Sequence, residues 1–489
     1  MASRHGAINA VYHNRRGNLY NGSMECRLMA AVAAGKATTW ISRRLGLGAG
    51  SNFPGRVMLR LHPHATETMA SRLSRGCVLI SGTNGKTTTS NLLAAMLCEG
   101  GMRPVHNRMG ANLISGITAA LAQASDLAGN PRGDIGLFEV DEATLPAAVE
   151  RLNPCLVIIT NLFRDQLDRY GELETLARKI DGALGGLSPD AAILLNADDS
   201  LVASLGKESH ASLHFYGIEC DEATEPSLRH AADSKHCRVC GTALSFSAHY
   251  FGHMGKYSCP RCGSSRPATH FRAVRVKLRG TTGCEVGLST PHWDADLNLG
   301  LPGLYNVHNL LAAAGGACLL GLGQEEVAKG VAGYATAFGR GERIALGGRE
   351  IFLVLSKNPT GFNEVIRTLR GEGKGLVVLA ALNDRIADGR DVSWIWDVDF
   401  EELAPLPRYL VATGTRAYDM ALRMKYAGLE PSRMEVRGDL KGALRVALER
   451  AREGETVYAL ATYTATLDLR RLLSRLGAAP AIWEGGSRP

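Results

Sequence analysis

The sequence predicts an α/β fold with a doubly wound parallel sheet, followed by a second α/β unit. Apolar runs of four to six residues alternate with helical segments, as in successive βαβ units. These runs are apolar throughout, which is typical of parallel strands covered by helices on both faces. Glycine is frequent, at 56 of 489 residues, and proline is scarce, at 18. Many tight turns from strand to helix would produce that balance.

The first unit contains four predicted strands, at 77–81, 135–140, 156–160 and 192–195. Helices are predicted at 87–98, 145–152 and 173–184, and a further helix rich in Ala and Leu at 304–322. The alternation stops between 221 and about 290, where Cys, His, Ser and Arg dominate. We interpret that stretch as an inserted small module.

The second unit has predicted strands at 351–355, 376–381, 409–412 and 457–461, which favours a Rossmann-like α/β domain at 341–489. A glycine-rich stretch, FGRGERIALGG at 338–348, is the predicted boundary. We therefore expect an N-terminal extension and lead-in at 1–50 and a central domain at 51–340. Trp394 and Trp396 alternate in SWIWD and are interpreted as packing residues of a short strand.

Composition excludes several classes of protein. Hydrophobic residues make up 45% of the chain and charged residues 21%, as in folded and not in disordered proteins. No apolar run reaches the roughly 18 residues of a membrane span. Eleven cysteines without a recognisable signal peptide predict reduced thiols and a cytoplasmic protein. The formal charge of +7 fits an anionic substrate or a membrane surface, and does not by itself indicate nucleic acid.

A phosphate-binding loop is predicted at 82–89, where GTNGKTTT lies between a strand and a helix. Its backbone N–H groups can surround a phosphate chain at the positive end of the helix dipole. Lys86 can reach the terminal phosphates and Thr87 can ligate Mg²⁺. The strict pattern has glycine where this chain has Ile80, so the loop is a variant. The predicted ATP-binding residues of the loop are Gly82, Thr83, Asn84, Gly85, Lys86, Thr87 and Thr88.

A carboxylate lies at the end of the next predicted strand, where the sequence reads FEVDE. Carboxyl ends of parallel strands meet at one edge of a sheet, so Glu139 should lie beside the phosphate loop. There it can hold a Mg²⁺ ion that bridges ATP and substrate. On the residues alone, Glu139, Asp141 and Glu142 can equally be solvated loop acids.

Two CxxC pairs, in CRVCG and CPRCG, are separated by 18 residues. This spacing predicts a tetrahedral Zn²⁺ site in a ribbon-like module. Four thiolates leave no open coordination position, so the metal should be structural. Basic residues near the pairs would allow nucleic-acid binding, but few aromatic residues interleave with them, so we expect no such partner. The predicted ligands are Cys237, Cys240, Cys259 and Cys262.

The loop sequence, together with LPGLYNVHNLLAA at 301–313, resembles the Mur ligase superfamily. The second unit carries LSKNPTGFNEV at 355–365, LNDRIADGRDVSWIWDVDFE at 382–401 and TYTATLDLR at 462–470, which are similar to the MurT family of ligase subunits. The resemblance covers nearly everything after about residue 24. It implies a Mur-ligase-like central sheet with an inserted zinc ribbon, and a C-terminal Rossmann-like domain.

The resemblance also implies an activity, the ATP-dependent amidation of the D-glutamate α-carboxyl group in the lipid II stem peptide. ATP would phosphorylate the carboxylate, and ammonia would attack the acyl phosphate to give D-isoglutamine. The implied cofactors are ATP, Mg²⁺ and structural Zn²⁺. Implied site residues are Thr87 and Glu139 for Mg²⁺, Asn306 and Asn309 near the adenine, and Asn161 and Asp165 on the substrate side.

Ammonia must come from outside this chain, because none of the seven cysteines outside the ribbon lies in the strand-to-helix elbow that a glutaminase nucleophile needs. The resemblance implies a GatD-type class I glutamine amidotransferase as partner subunit, and lipid II at the inner membrane surface. It further implies that an aspartate of a D-x-x-A-D motif orients the partner's histidine. We predict Asp384 in this catalytic role, with Asp388 second. Arg385 stands where the family usually has Asn, and both acids could instead cap a turn.

Two other classes of function stay open. A Mur ligase or folylpolyglutamate-type ligase that adds an amino acid would share the phosphate loop. Only about eighty residues precede that loop, which is short for the nucleotide-sugar domain of such ligases. A non-enzymatic zinc-ribbon protein with a nucleotide switch would instead bind nucleic acid in a salt-dependent way.

Overall fold

The structure is a computed structural model that describes residues 21–44, 52–107, 111–163, 172–221, 224, 235–334 and 340–480. Three helices precede the first strand: α1 (Asn21–Arg44), α2 (Phe53–Leu61) and α3 (Ala65–Ala70). Helix α1 buries Leu28, Ala31 and Val32 in the same apolar core as the sheet. Part of the predicted extension at 1–50 is thus packed helix. None of the described helices has the length and hydropathy that crossing a bilayer demands.

Eleven strands follow up to residue 299: β1 (Cys77–Ser81), β2 (Pro104–His106), β3 (Ile135–Glu139), β4 (Leu156–Ile159), β5 (Ala192–Asn196), β6 (Ser212–Ile218), β7 (Ser245–Phe251), β8 (Met254–Ser258), β9 (Phe271–Leu278), β10 (Cys284–Ser289) and β11 (Asp294–Leu299). Nine of them form one sheet in the order β11-β10-β9-β6-β5-β4-β1-β3-β2. The pairs β9–β10 and β10–β11 are antiparallel, whereas the other pairs are parallel. The four predicted strands are confirmed to within one residue.

Helices cover both faces of this sheet, as the doubly wound prediction requires. On one face lie α4 (Lys86–Glu99), α8 (Leu304–Leu319) and α9 (Gln324–Ala332). On the other lie the first three helices with α5 (Ile114–Ala124), α6 (Leu145–Leu152) and α7 (Glu172–Gly185). Strand β1 pairs with β3 on one side and with β4 on the other, so the strand order reverses there. Ligands of such sheets bind at this reversal, beyond the carboxyl ends of the strands.

The inserted module is smaller than the predicted range of 221 to about 290. Strands β7 and β8 form a separate antiparallel hairpin next to the four cysteines. Residues 271–289, which we included in the insert, instead contribute β9 and β10 to the large sheet. Strand β9 alternates buried and exposed residues because one face is open to solvent, unlike the fully buried strands in the middle of the sheet.

The C-terminal domain is a second sheet with helices on both faces. Its order is β12-β13-β17-β14-β15-β16, and only β12 and β13 are antiparallel. The glycine-rich stretch predicted as a boundary contains β12. The strands are β12 (Arg340–Leu346), β13 (Arg349–Leu355), β14 (Leu376–Ala381), β15 (Pro407–Thr413), β16 (Met434–Arg437) and β17 (Thr456–Ala461). The helices are α10 (Pro359–Arg370), α11 (Phe400–Leu403), α12 (Ala417–Tyr426), α13 (Leu440–Arg450) and α14 (Tyr463–Arg475).

The SWIWD segment is not a strand, contrary to our interpretation. Residues Ser393–Asp397 form a 3₁₀ turn. The Asp391 carboxylate accepts a hydrogen bond from the Ser393 N–H at 2.8 Å, which starts the turn. Trp394 is buried beside Phe362, whereas Trp396 is half exposed. The alternation of aromatics therefore reflects one packed and one open side of a tight turn.

Candidate functional site

The loop after β1 packs closely against side chains that follow β4 and against α8. Gly82 has a φ of +129° and Gly85 a φ of +90°, conformations that favour glycine. A Cβ atom on Gly82 would lie 2.2 Å from Thr160 Oγ1, and one on Gly85 would lie 2.1 Å from Asn309 Oδ1. Both glycines are therefore required by packing as well as by backbone conformation. The loop is a preformed cradle at the N-terminus of α4.

Side chains that follow β4 fix the middle of this loop. Asn161 Oδ1 accepts a hydrogen bond from the Asn84 N–H at 2.8 Å, and Asn161 Nδ2 donates to the Asn84 carbonyl at 2.9 Å. Thr160 Oγ1 donates to the same carbonyl at 2.7 Å. Asn161 thus holds the phosphate loop, whereas we had placed it on the substrate side. Asp165, the other residue of that prediction, lies outside the described residues.

The predicted metal-side residues lie together at the start of α4. Thr87 Oγ1 donates a hydrogen bond to Glu139 Oε2 at 2.9 Å, and Glu139 is buried. Lys86 Nζ lies 3.1 Å from Glu142 Oε2 and contacts the Gly82 carbonyl. A hydroxyl beside a buried carboxylate oxygen is the kind of donor pair that Mg²⁺ prefers, so these residues fit the predicted ion. Glu142 is held by Lys86 and is not a solvated loop acid.

The two asparagines of YNVHN lie under the loop, in the first turns of α8. Asn309 Nδ2 donates to Asn306 Oδ1 at 3.0 Å, and Asn306 Nδ2 donates to the Pro302 carbonyl at 2.7 Å. Asn309 Oδ1 is the atom that faces Gly85. The structure thus brings this pair to the phosphate loop. Contact with the adenine stays a prediction.

A buried ionic network that the sequence did not reveal lies behind the loop. Asp198 pairs with Arg266 at 2.6 Å and with His308 Nε2 at 2.8 Å. Burial alone would raise the pKa of Asp198, but the His308 hydrogen bond and the Arg266 charge hold it below its usual value. Arg266 also pairs with Glu219 at 2.7 Å. The network ties α8 to the ends of β5 and β6, and no sequence spacing links its members.

The tip of the β7–β8 hairpin is wedged between the phosphate loop and the C-terminal domain. The His253 ring packs on Phe163, with 4.5 Å between centroids, and its Nε2 lies 3.2 Å from Asp199 Oδ2. The Phe163 N–H donates to Thr83 Oγ1 at 3.0 Å. On the other side, Arg367 Nη1 of α10 donates to the Tyr250 carbonyl at 2.7 Å. The inserted module that carries the four cysteines therefore helps to position the phosphate loop.

The four predicted zinc ligands converge. Their sulfur atoms all lie within 4.8 Å of one another, and the Cys237–Cys262 and Cys240–Cys259 pairs are 3.5 and 3.4 Å apart. A tetrahedral site with Zn–S bonds of about 2.3 Å separates its sulfurs by roughly 3.8 Å, so the arrangement fits Zn²⁺. Hydrogen bonds from Thr242 lower the pKa of Cys240 to about 6, which favours the thiolate that a metal needs.

We expect purified protein to contain about one zinc per chain, and Cys259→Ser to lose nearly all of it. Metal analysis after extensive dialysis measures the ratio, and thermal unfolding should show a lower midpoint for the variant. Cys98→Ser, at an exposed cysteine of α4, is the matched control and should keep the metal. Full zinc content in Cys259→Ser would contradict the assignment.

The two candidate aspartates of the C-terminal domain occupy different environments. Asp388 is 3% exposed and accepts hydrogen bonds from the N–H and hydroxyl of Thr464, at the start of α14. Asp384 is at the surface, where it accepts a hydrogen bond from Thr415 Oγ1 at 2.7 Å and pairs with Arg416. These contacts hold the pKa of Asp384 below its usual value. Asp388 therefore caps a helix, and of the two only Asp384 has a partly exposed carboxylate.

One residue that the sequence analysis missed links the two domains at the loop. Asn358 Nδ2 donates to Asn84 Oδ1 at 3.2 Å, and Asn358 Oδ1 accepts from the Gly361 N–H at 2.8 Å. It is the N-cap of α10, with Pro359 at the first helical position. Asn followed by Pro is a recognisable helix start, but nothing in the sequence around Asn358 indicates its contact with Asn84.

Two family models match this chain. The model described as Mur ligase middle domain matches residues 80–258, and the one described as MurT ligase C-terminal matches residues 355–466. The chain is 31% identical over 453 residues to the lipid II isoglutaminyl synthase (glutamine-hydrolyzing) subunit MurT of Streptococcus pneumoniae, covering 92% of this chain and 98% of that protein. The chain belongs to the MurT family. The Staphylococcus aureus (strain N315) MurT subunit is 32% identical over 83% of this chain and 89% of its own length.

Solved structures of related ligases share the fold. A pseudomurein peptide ligase type C from Methanothermus fervidus aligns with a TM-score of 0.64 and 22% identity, over 83% of this chain and 79% of that chain. A Mycobacterium tuberculosis folylpolyglutamate synthase, solved with ADP and AMPPCP, aligns with a TM-score of 0.58 and 16% identity, over 91% and 95%. At these identities the likeness shows the fold alone, and it confirms the Mur-ligase-like architecture.

As a member of the MurT family, the chain is an ATP-dependent ligase, as predicted. The phosphate loop, Cys237 and Cys240 fall within the matched middle domain, and Cys259 and Cys262 lie just after its end. Asn358, Asp384 and Asp388 fall within the matched C-terminal domain. The roles of the individual residues stay predictions, supported by the geometry above.

Proposed function

We propose that the chain amidates the α-carboxyl group of D-glutamate in the lipid II stem peptide, as the ligase subunit of a glutamine-hydrolysing pair in peptidoglycan synthesis. One observation carries the proposal. The chain aligns over 98% of the length of a MurT subunit, and it has a preformed phosphate loop with Lys86, Thr87 and Glu139 close together at its end. That arrangement suits phosphoryl transfer from ATP to a carboxylate.

The chemistry divides into two steps. A carboxylate oxygen of the substrate attacks the γ-phosphorus, and the bond to the β-phosphate oxygen breaks to release ADP. Ammonia then attacks the acyl carbon, and inorganic phosphate leaves with the bonding pair as the amide forms. Lys86 and the N-terminus of α4 offset the charge that spreads over the transferred phosphoryl group. Thr87 and Glu139 would hold a Mg²⁺ ion, whose positive charge would help to offset that of the phosphates.

The C-terminal domain offers a surface for a glutaminase partner of the GatD type. The Asp384 side chain, in the loop after β14, is 32% exposed, and Ile386 two residues further on is 85% exposed. Tyr418, Leu422 and Tyr426 form an exposed apolar stripe along α12. Apolar and aromatic residues in one patch are typical of a protein interface. In our proposal the partner covers this patch, and Asp384 accepts a hydrogen bond from its catalytic histidine.

The amino-acid-adding alternative has weaker support. A UDP-N-acetylmuramate–L-alanine ligase from Aquifex aeolicus is 25% identical, over 60% of this chain and 52% of that protein. Ahead of β1, the described residues form three helices and no strand. Among those described residues there is no sheet of the kind that an α/β nucleotide-sugar domain contains.

The nucleic-acid alternative is disfavoured by the ion pairs of the ribbon. Arg266 pairs with Asp198 and Glu219, Lys256 lies 3.0 Å from Asp221, and Arg238 lies 3.0 Å from Glu174. These cations are already neutralised within the chain. Release of counterions from nucleic acid, which drives such binding, needs free cations.

A reconstituted reaction tests the proposal. The chain is mixed with lipid II, ATP and Mg²⁺, and with ammonium or with glutamine plus the partner. We expect each stem peptide to lose about one mass unit as hydroxyl is replaced by amine, with one ADP formed per amide. Omission of ATP is the control. Full ATP hydrolysis with unchanged peptide mass would contradict the function, and addition of a free amino acid instead would favour the alternative ligase.

A further inference from the structure

Helix α1 is apolar on two opposite sides. Leu28, Ala31 and Val32 face the core, and Gly35 packs against Met58 of α2. At 100° per residue the other side contains exposed residues that are almost all apolar. They are Met29, Ala30, Ala33, Ala37, Trp40 and Ile41, with Arg44 at the end. Met29, Trp40 and Ile41 are 45%, 60% and 46% exposed. A surface helix of a water-soluble protein normally presents charged or polar residues there.

Helix α2 lies alongside α1 and adds to this exposed apolar area. Phe53 is 59% exposed and Leu61 is 49% exposed, and both lie on the same short helix as two exposed arginines. Five of the sixteen exposed large apolar residues of the described chain lie between residues 29 and 61. We call the exposed residues of these two helices the α1–α2 surface.

The α1–α2 surface also lies in the most basic part of the chain. Residues 1–61 contain nine of the 55 Lys and Arg residues but one of the 48 Asp and Glu residues. The remaining 428 residues contain 46 cations and 47 acids, so they carry a net charge of −1. The formal excess of +7 is therefore confined to the first 61 residues. Arg27, Arg44, Arg56 and Arg60 are exposed on the two helices, and the Arg44 guanidinium lies 5.1 Å from the centre of the Trp40 ring.

We propose that the α1–α2 surface lies on an anionic lipid bilayer. Tryptophan and aliphatic residues enter the boundary between headgroups and acyl chains, and arginines beside them pair with lipid phosphates. A basic segment is drawn to anionic lipid in the same way. Since α1 buries its other side in the protein core, it lies on the bilayer and does not cross it. A protein partner would need an acidic as well as an apolar face to match.

The surface is connected to the metal side of the nucleotide site. Gly55 of α2 packs against the Ser115 backbone of α5, where a Cβ atom would lie 1.7 Å from the Ser115 carbonyl oxygen. Just ahead of α5, the Asn112 carbonyl accepts a hydrogen bond from the Asp141 N–H at 3.0 Å, two residues after Glu139. Bilayer contact would thus hold this side of the site near lipid-linked molecules. That consequence, unlike the lipid contact itself, rests on the proposed function.

Vesicle flotation with the full-length chain tests the inference. We expect binding to vesicles with about 30% phosphatidylglycerol and much less to pure phosphatidylcholine, with loss of binding as NaCl rises to about 0.5 M. The double variant Trp40→Ser, Ile41→Ser should lower the bound fraction at least about fivefold. Arg44→Glu with Arg56→Glu should do the same on anionic vesicles. Val274→Ser with Leu278→Ser removes exposed apolar residues of β9, away from this surface, and should bind as the parent does.

Several outcomes would overturn the inference. One is that the parent chain does not float with anionic vesicles at about 1 mM lipid. Another is that the parent and the double variant Trp40→Ser, Ile41→Ser float equally well. If the parent chain is a dimer and this variant is a monomer, the α1–α2 surface binds a second copy of the chain and not lipid. If the variant no longer binds the glutaminase partner, the surface binds that subunit instead. Amidation in detergent micelles reports separately on the proposed function. Its failure while flotation persists would refute that function and leave the lipid contact intact.

Discussion

Lys86→Ala should lower ATP-dependent amide formation by about two to three orders of magnitude. The Lys86 ammonium is largely shielded from solvent at the first residue of α4, 3.1 Å from Glu142 and in contact with the Gly82 carbonyl. It is therefore positioned at the open end of the phosphate cradle. Removal leaves the transferred phosphoryl group without its nearest fixed positive charge. Because Lys86 is needed for phosphoryl transfer, ammonium and glutamine should fail equally as nitrogen sources.

Rates of ADP release and amide formation with saturating ammonium measure this effect. The matched control is Lys329→Ala, which removes an exposed lysine of α9 that pairs with Glu325. We expect that variant to retain the parent rate. Thermal unfolding of Lys86→Ala measures the stability lost with the Glu142 ion pair, so rates compared well below its midpoint separate lost chemistry from lost folding. An unchanged rate of amide formation in Lys86→Ala would remove the basis for placing ATP at this loop.

Asp384→Asn should abolish glutamine-dependent amidation while ammonium-dependent amidation continues. A carboxylate that orients a catalytic histidine cannot be replaced by an amide without loss of the correct tautomer, and the cost is roughly three to four orders of magnitude. Asp384 is suited to this role because it is ionised and accessible, with Thr415 and Arg416 fixing its orientation. The phosphate loop does not contact it, so the ammonium route should be spared.

Two further variants sharpen this experiment. Asp419→Asn removes the other carboxylate that pairs with Arg416 and should leave both nitrogen routes active. Asp388→Ala removes the cap of α14 and should lower stability by about 1 kcal/mol, with equal effects on both routes. Equal loss of both routes in Asp384→Asn, with the complex intact, would assign that residue a structural role.

Local features of the sequence were sufficient to predict the core of the fold and the phosphate loop. The run CVLIS is buried along its whole length, and the glycines after it have the backbone conformations that the loop requires. Both signals come from residues adjacent in the chain. The zinc site could be predicted for the same reason, since its spacing of two CxxC pairs is a local pattern.

Contacts between distant residues could be predicted where both follow adjacent parallel strands, as for Glu139 and the phosphate loop, but not elsewhere. Asn84 and Asn358 are 274 residues apart in the chain, and Asp198 meets His308 across 110 residues. Asp384 and Asp388 are four residues apart in one motif, yet one is partly exposed and the other caps a helix that begins 75 residues later. The interpretation of SWIWD as a strand was wrong because the Asp391 carboxylate accepts a hydrogen bond from the Ser393 N–H, which stabilises a turn in place of an extended strand.

The hydrogen bond between Asn358 and Asn84 acts as a weak latch between the two halves of the enzyme. A neutral bond of this kind contributes about 1 kcal/mol, which corresponds to roughly a fivefold preference for the closed arrangement over one in which the halves have separated. Any hinge motion that admits nucleotide or releases product would have to break this bond together with the other contacts between the halves, such as those of Arg367 with the Tyr250 carbonyl and of Glu372 with Thr281.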